Sequence, residues 1–124
     1  MKRSRRYSVA LAVGLVLAAV ALVGCSSDGA TTTNEAAVAT TTVDLPKSYR
    51  FDPVAITVQA GTTVTWTNHD DFTHNVTFEG EPALAMRPGE TVSRVFETAG
   101  SYPYLCSLHP RDMTGRVDVQ GGAS

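Results

Sequence analysis

Tyr102-Pro-Tyr-Leu-Cys106-Ser-Leu-His109-Pro-Arg-Asp-Met113 is the stretch from which the rest of the chain is read. An apolar aromatic run ends in a thiol, an imidazole and a thioether within eight residues, and the short alternating segment Gly115-Arg-Val-Asp-Val119 follows almost at once. The order implied is strand, ligand-bearing loop, strand. These three side chains are soft or borderline donors, and a Cys-His-Met set completed by a second His is what a mononuclear copper electron-transfer site requires. The second imidazole is available upstream, in Asn68-His-Asp-Asp-Phe-Thr-His74, where His69 and His74 both offer a ring nitrogen.

Working outward, the segments on the N-terminal side carry the same local signature. Thr62-Thr-Val-Thr-Trp-Thr-Asn68 has strand composition and strict period-two alternation, with Val64 and Trp66 on one face and the threonines on the other. Ile56-Thr-Val58, Asn75-Val-Thr-Phe78 and Thr91 to Phe96 are further strand candidates, separated by Ala60-Gly61, Gly80, Pro82 and the turn Arg87-Pro-Gly-Glu90. The parity of the segment from Thr91 is mixed, so its buried face is left open. After residue 43 no segment sustains a 3.6-residue apolar period, and short strands between Gly/Pro turns imply an all-β sandwich over residues 43–120 with a loose tail at 121–124.

The first part of the chain reads differently. Lys2, Arg3, Arg5 and Arg6 precede an apolar run from Tyr7 to Gly24, the form of a secretion signal over residues 1–24. Leu22-Val-Gly-Cys25 resembles the lipobox of a bacterial lipoprotein, which implies cleavage before Cys25 and lipidation of its thiol. Residues 25–42 are small and polar with no aromatic side chain, the composition of a flexible tether. This layout places the domain outside the cytoplasmic membrane, periplasmic or extracellular, on a lipid anchor.

Charge narrows the partners. The signal takes four of the ten basic residues and none of the twelve acidic ones, which leaves six against twelve and a net charge of −6 with His neutral. An acidic surface with one lysine argues against phosphate-backbone recognition, hence against nucleic acid. It suits redox partners, a donor and an acceptor, that present a positive docking face. Of the two cysteines, Cys25 belongs to the processing site and Cys106 to the ligand loop; a disulfide between them would remove the thiolate that copper needs.

The chemistry asks for these residue types in this division. A thiolate bonds strongly to Cu(II), neutral imidazoles suit both copper oxidation states, and a weak axial Met completes a nearly trigonal site with no vacancy for substrate. Cys106 and His109 bracket two residues, so a tight loop can turn both side chains to one point, and Met113 precedes the turn into the last strand. Met86 is the alternative thioether. An enzyme is not expected: Cys106 and His109 have no orienting third group of the kind a nucleophile-base pair needs.

At these residues the chain resembles the cupredoxin family, in particular its small plastocyanin- and amicyanin-like members. The likeness runs through Phe51-Asp-Pro, Val64-Thr-Trp66-Thr-Asn68, His74-Asn75, Arg87-Pro-Gly-Glu90, Gly100-Ser-Tyr-Pro-Tyr104, Cys106-Ser-Leu-His109-Pro110 and Met113-Thr-Gly-Arg-Val117. It implies a Greek-key β-sandwich of eight strands or fewer, one type 1 copper cycling between Cu(I) and Cu(II), and single-electron shuttling by a monomeric domain. It assigns His74, Cys106 and His109 as equatorial ligands and Met113 as the axial one. Asn75 takes the place of a residue whose backbone donates toward the sulfur and whose side chain braces the ligand loop. Pro110 stiffens the residue after His109, whose ring edge becomes the electron port, ringed by an apolar patch of Pro110 with Leu84 or Met86. The chain departs from its nearest counterparts in placing three residues, not two, between His109 and Met113. The competing expectation is a copper-binding or copper-delivery module with no dedicated electron-transfer role.

Overall fold

The computed structural model describes residues 35–122. The expected signal, Cys25 and most of the tether lie outside the described residues, as do positions 123 and 124. Nine strands follow in order: β1 Val38–Ala39, β2 Thr42–Leu45, β3 Ala55–Gln59, β4 Thr62–Asn68, β5 His74–Phe78, β6 Leu84–Met86, β7 Thr91–Phe96, β8 Gly100–Leu105 and β9 Thr114–Gln120. They form a six-stranded sheet in the order β1-β3-β9-β8-β5-β6 and a three-stranded sheet β2-β4-β7. The count exceeds the expected eight because β1, only two residues long, joins the edge of the larger sheet by parallel pairing with Ile56 and Thr57 of β3.

Alternation decides which side of each strand is buried. Val64 and Trp66 of β4 and Val117 of β9 are fully enclosed, while the β4 threonines between them are half-buried or exposed. The mixed parity of β7 resolves through a cation: Phe96 is buried and Val95 is 50% exposed, so Val92, Arg94 and Phe96 share the inward side. Arg94 is tolerated there because its guanidinium lies 4.2 Å from the Phe78 ring centre and 4.5 Å from that of Phe96, while its outer end pairs with Glu81. Behind it the core is aromatic. Trp66 meets Tyr104 at 5.5 Å and Phe78 at 6.1 Å edge-on, and Phe51 meets Tyr104 at 4.8 Å.

Three strand residues fall where a tether was expected. Val38 and Ala39 are exposed and Thr42 opens β2, each held by main-chain pairing to β3 or β4. Strand at this edge owes nothing to buried side chains before Val43, so small polar composition carries no trace of it. The first described strand thus lies ahead of residue 43.

Candidate metal centre

The ligand loop is closed by its own backbone. Cys106 N donates to Met113 O at 2.9 Å, His109 N to Cys106 O at 3.0 Å, and Met113 N to His109 O at 3.0 Å. The last of these is an i to i+4 bond, a single α-turn, and it gives the three-residue spacing a physical reason: residues four apart on such a turn lie on the same face. His109 and Met113 are therefore on one side of the turn that Cys106 opens. Cys106 and Met113 are fully buried in the core cluster, whereas His109 is half-buried.

The opposing side of the centre comes from β5 and the loop before it. His74 begins β5, is fully buried, and turns Nδ1 toward Cys106 Sγ at 3.9 Å. Its other nitrogen, Nε2, lies 2.8 Å from a carboxylate oxygen of Asp70, itself 4% exposed. A carboxylate only accepts, so in the neutral ring Nε2 carries the proton and the Nδ1 lone pair faces the sulfur. Asp70 is in turn fixed by Asn68, a fully buried side chain whose Oδ1 accepts from Asp70 N at 3.0 Å while Nδ2 donates to the carbonyls of Phe72 at 2.8 Å and Met86 at 3.1 Å. The type II turn at Arg87-Pro-Gly-Glu90, with Gly89 at φ +83°, presents Gly89 N to Asn68 O at 2.8 Å and locks that corner.

Asn75 ties the two sides together. Its backbone N–H donates to Cys106 Sγ at 3.4 Å, its Nδ2 to Ser107 Oγ at 2.8 Å, and its Oδ1 accepts from Ser107 N at 2.8 Å. The sulfur thus has one fixed donor, and the residue after it is clamped across the sheet. The rings of His74 and His109 stand 5.3 Å apart between centres at 63°. Among the described residues no three His, Cys, Asp or Glu side chains stand close enough to hold a metal by themselves. The pair that does converge is His74 with Cys106, and the fourth expected donor, Met113, is a thioether. A lone pair on nitrogen aimed at a buried sulfur, both oriented by partners outside them, is a donor set that suits copper.

The imidazole beside Cys106 is that of His74, and the alternative, His69, is exposed and bound to the Asp44 carboxylate. Met86 is fully buried opposite His74 in the β5–β6 ladder and so forms no part of an exposed rim around His109, and Leu84 is half-buried against the core. The exposed apolar side chains on that side are Tyr49 at 38%, Phe72 at 56% and Leu108 at 55%. In the sequence Asp70 and Asn68 belong to the polar run Asn68-His-Asp-Asp, which by itself gives them no role at the centre. The available signal was spacing: Asp70 precedes His74 by four residues.

The contact with His74 is the largest influence on Asp70 and holds its carboxyl below the usual carboxylate range, against an opposing push from burial and with help from the Asp71 N–H. An acid with a depressed folded pKa stabilises the fold above its unfolded value, ~3.9 for Asp. That contribution is lost as pH falls through the lower folded value. Asp70→Ala is expected to lower apoprotein stability by about 1–3 kcal/mol at neutral pH, because it strands a buried ring nitrogen. The deficit against wild type should shrink below about pH 4; urea unfolding at the two pH values checks both.

Residues 37–120 match the family described as copper binding proteins, plastocyanin/azurin family. The chain is 39% identical over 84 residues to the plastocyanin of Scenedesmus fuscus, covering 56% of this chain and 86% of that protein. It is 34% identical over 119 residues to amicyanin-alpha of Methylorubrum extorquens, covering 90% and 98% respectively. Among solved structures, a purple cupredoxin from Nitrosopumilus maritimus aligns with a TM-score of 0.61 at 28% identity, over 65% of this chain and 100% of that one. The role that accompanies these likenesses is non-enzymatic. A two-sheet sandwich that brings His74 to Cys106, aligned from residue 37 to residue 120, places the chain in the plastocyanin/azurin family of copper-binding proteins.

Proposed function

We propose that the chain is a type 1 copper protein that shuttles single electrons between a donor and an acceptor outside the cytoplasmic membrane. His74, Cys106, His109 and Met113 would hold the ion. When bound, copper supplies a one-electron couple. What the chain supplies is rigidity. Asp70 fixes the His74 tautomer, Asn75 donates to Sγ, and the α-turn from His109 to Met113 sets the loop, so the donors need not rearrange as charge changes. The observation that carries the reading is the buried approach of His74 Nδ1 to Cys106 Sγ with both atoms held from behind.

His109, half-buried beside Tyr49, is the route for electrons to the surface, with Tyr49, Phe72, Leu108 and Pro110 as its surround. The net charge of −6 after the signal supports a partner with a positive docking face. The Leu22-Val-Gly-Cys25 motif supports export and a lipidated Cys25 at the outer face of the membrane, with the domain as a monomer. Adding Cu(II) is expected to give an intense visible thiolate-to-copper band with a small copper hyperfine splitting. Colourless binding with a tetragonal spectrum would count decisively against the reading. Met113→Leu is expected to keep copper bound while raising the reduction potential, because a weak donor to Cu(II) is lost. Cyclic voltammetry of the two proteins checks the sign.

A further inference from the structure

The loop between Leu45 and Asp52 is closed at its base by two hydrogen bonds, Asp44 N to Asp52 O and Asp52 N to Asp44 O, each 2.8 Å. Near its tip Tyr49 takes φ +50°, a left-handed conformation that residues other than Gly, Asn and Asp seldom adopt. This backbone sends the ring onto the metal centre. Tyr49 meets His109 at 4.8 Å and 77°, meets His74 at 5.7 Å and 90°, and stacks on Phe72 at 5.7 Å and 26°. Beneath it His74 has no exposure, while the tyrosine itself is 38% exposed. An uncommon backbone conformation held at the one residue, among those described, whose ring packs against both imidazoles is the pattern in which strain accompanies function.

We propose that Tyr49 is the lid of the metal centre: its ring fills the outer gap between His74 and His109, fixes their mutual angle and keeps water and small anions from the His74 side. The proposal rests on the assignment of the two histidines as ligands and adds what decides access to them. A centre closed in this way exchanges electrons through a ring edge and takes up no external ligand. Phe72, stacked behind Tyr49, backs the lid from the loop that Asn68 and Asp70 hold, so the two loops close over the site together.

The lid is measured first without copper. In the full-length apoprotein, ethoxyformylation by diethyl pyrocarbonate followed by peptide mass spectrometry reports His74 against His69, whose side chain is 63% exposed and serves as the internal reference. Tyr49→Gly removes the ring while tolerating φ +50°, and Tyr49→Phe keeps the ring. The expected result is a rise of roughly tenfold or more in the His74-to-His69 rate ratio for Tyr49→Gly, with Tyr49→Phe within about twofold of wild type, since full burial is what slows a reactive group. Amide protection of β4 should be unchanged. An unchanged ratio in Tyr49→Gly overturns the proposal. So does loss of β4 protection in both Tyr49→Gly and Tyr49→Asn, since the ring would then be a general support of the fold. In the copper-loaded protein, azide should produce a new charge-transfer band with Tyr49→Gly and none with wild type. Failure of wild type to form a coloured copper protein counts against the ligand assignment alone, and the apoprotein measurement still decides the lid.

Discussion

Cys106→Ser is expected to abolish the visible band and nearly all tight Cu(II) binding. The sulfur is fully buried, receives an N–H from Asn75 at 3.4 Å and lies 3.9 Å from His74 Nδ1. A serine oxygen at the same place is a hard donor on an alcohol that stays protonated at neutral pH, so it supplies neither the anion nor the covalency that copper draws from a thiolate. Removing a partner outside the ligand set of a metal site typically costs about 10–100-fold in affinity; losing the thiolate itself should exceed that. The side chain is close in volume and Asn75 N–H still meets an acceptor, so far-ultraviolet dichroism should be unchanged. Whatever Cu(II) remains on His74 and His109 should show a tetragonal spectrum. Persistence of the intense band in the variant would mean that another group supplies the charge transfer, and the assignment of Cys106 would be wrong.

The loop from Cys106 to Met113 between two strands was legible because its residue types are compressed into eight consecutive positions, and β4 because Val64 and Trp66 alternate with threonines over a whole strand. What escaped the sequence has identifiable physical causes. Strand β1 is made by backbone hydrogen bonds with its side chains outside, and no apolar period records that. Asp70 stands in the polar run Asn68-His-Asp-Asp, whose composition suits solvent, yet its backbone is held by Asn68 and the residue is only 4% exposed. The resemblance offers Leu84 or Met86 for the patch around His109, whereas pairing with β5 carries Met86 inward beside His74. Tyr49 and Phe72 come from loops 23 residues apart in sequence and meet only because the Asp44–Asp52 bridge and Asn68 aim their loops at the same opening. Strand parity is a local property and survives in the sequence. The meeting of two loops is not, and does not.

Gly115→Ala is expected to be the most destabilising glycine-to-alanine change among the described residues, and the reason is space. Gly115 faces Tyr104 across the β8–β9 ladder, and a Cβ built on it would stand 2.4 Å from Tyr104 Cζ and 2.6 Å from its hydroxyl oxygen. The glycine is not in the left-handed region, so the clash is the whole effect. The ring cannot move aside: it is 4% exposed and hemmed by Phe51 at 4.8 Å, Phe78 at 5.3 Å and Trp66 at 5.5 Å. Burial also raises the Tyr104 phenol pKa, so ionisation offers no way outward. Overpacking a filled core costs about 1–3 kcal/mol and occasionally more, and contact with an immobile ring puts this case at about 3 kcal/mol. For a domain of this size that is a fall in Tm of roughly 12–24 °C, measured on the apoprotein so that bound copper does not offset it. Tyr104→Leu, which shortens the side chain, should relieve most of the penalty when combined with Gly115→Ala, giving a coupling of at least about 1 kcal/mol in the double-mutant cycle. Tyr104→Phe should not, because it removes the hydroxyl and leaves Cζ in place. Additive losses in the first pair would show that the cost lies in the β9 backbone and not in the ring that covers it.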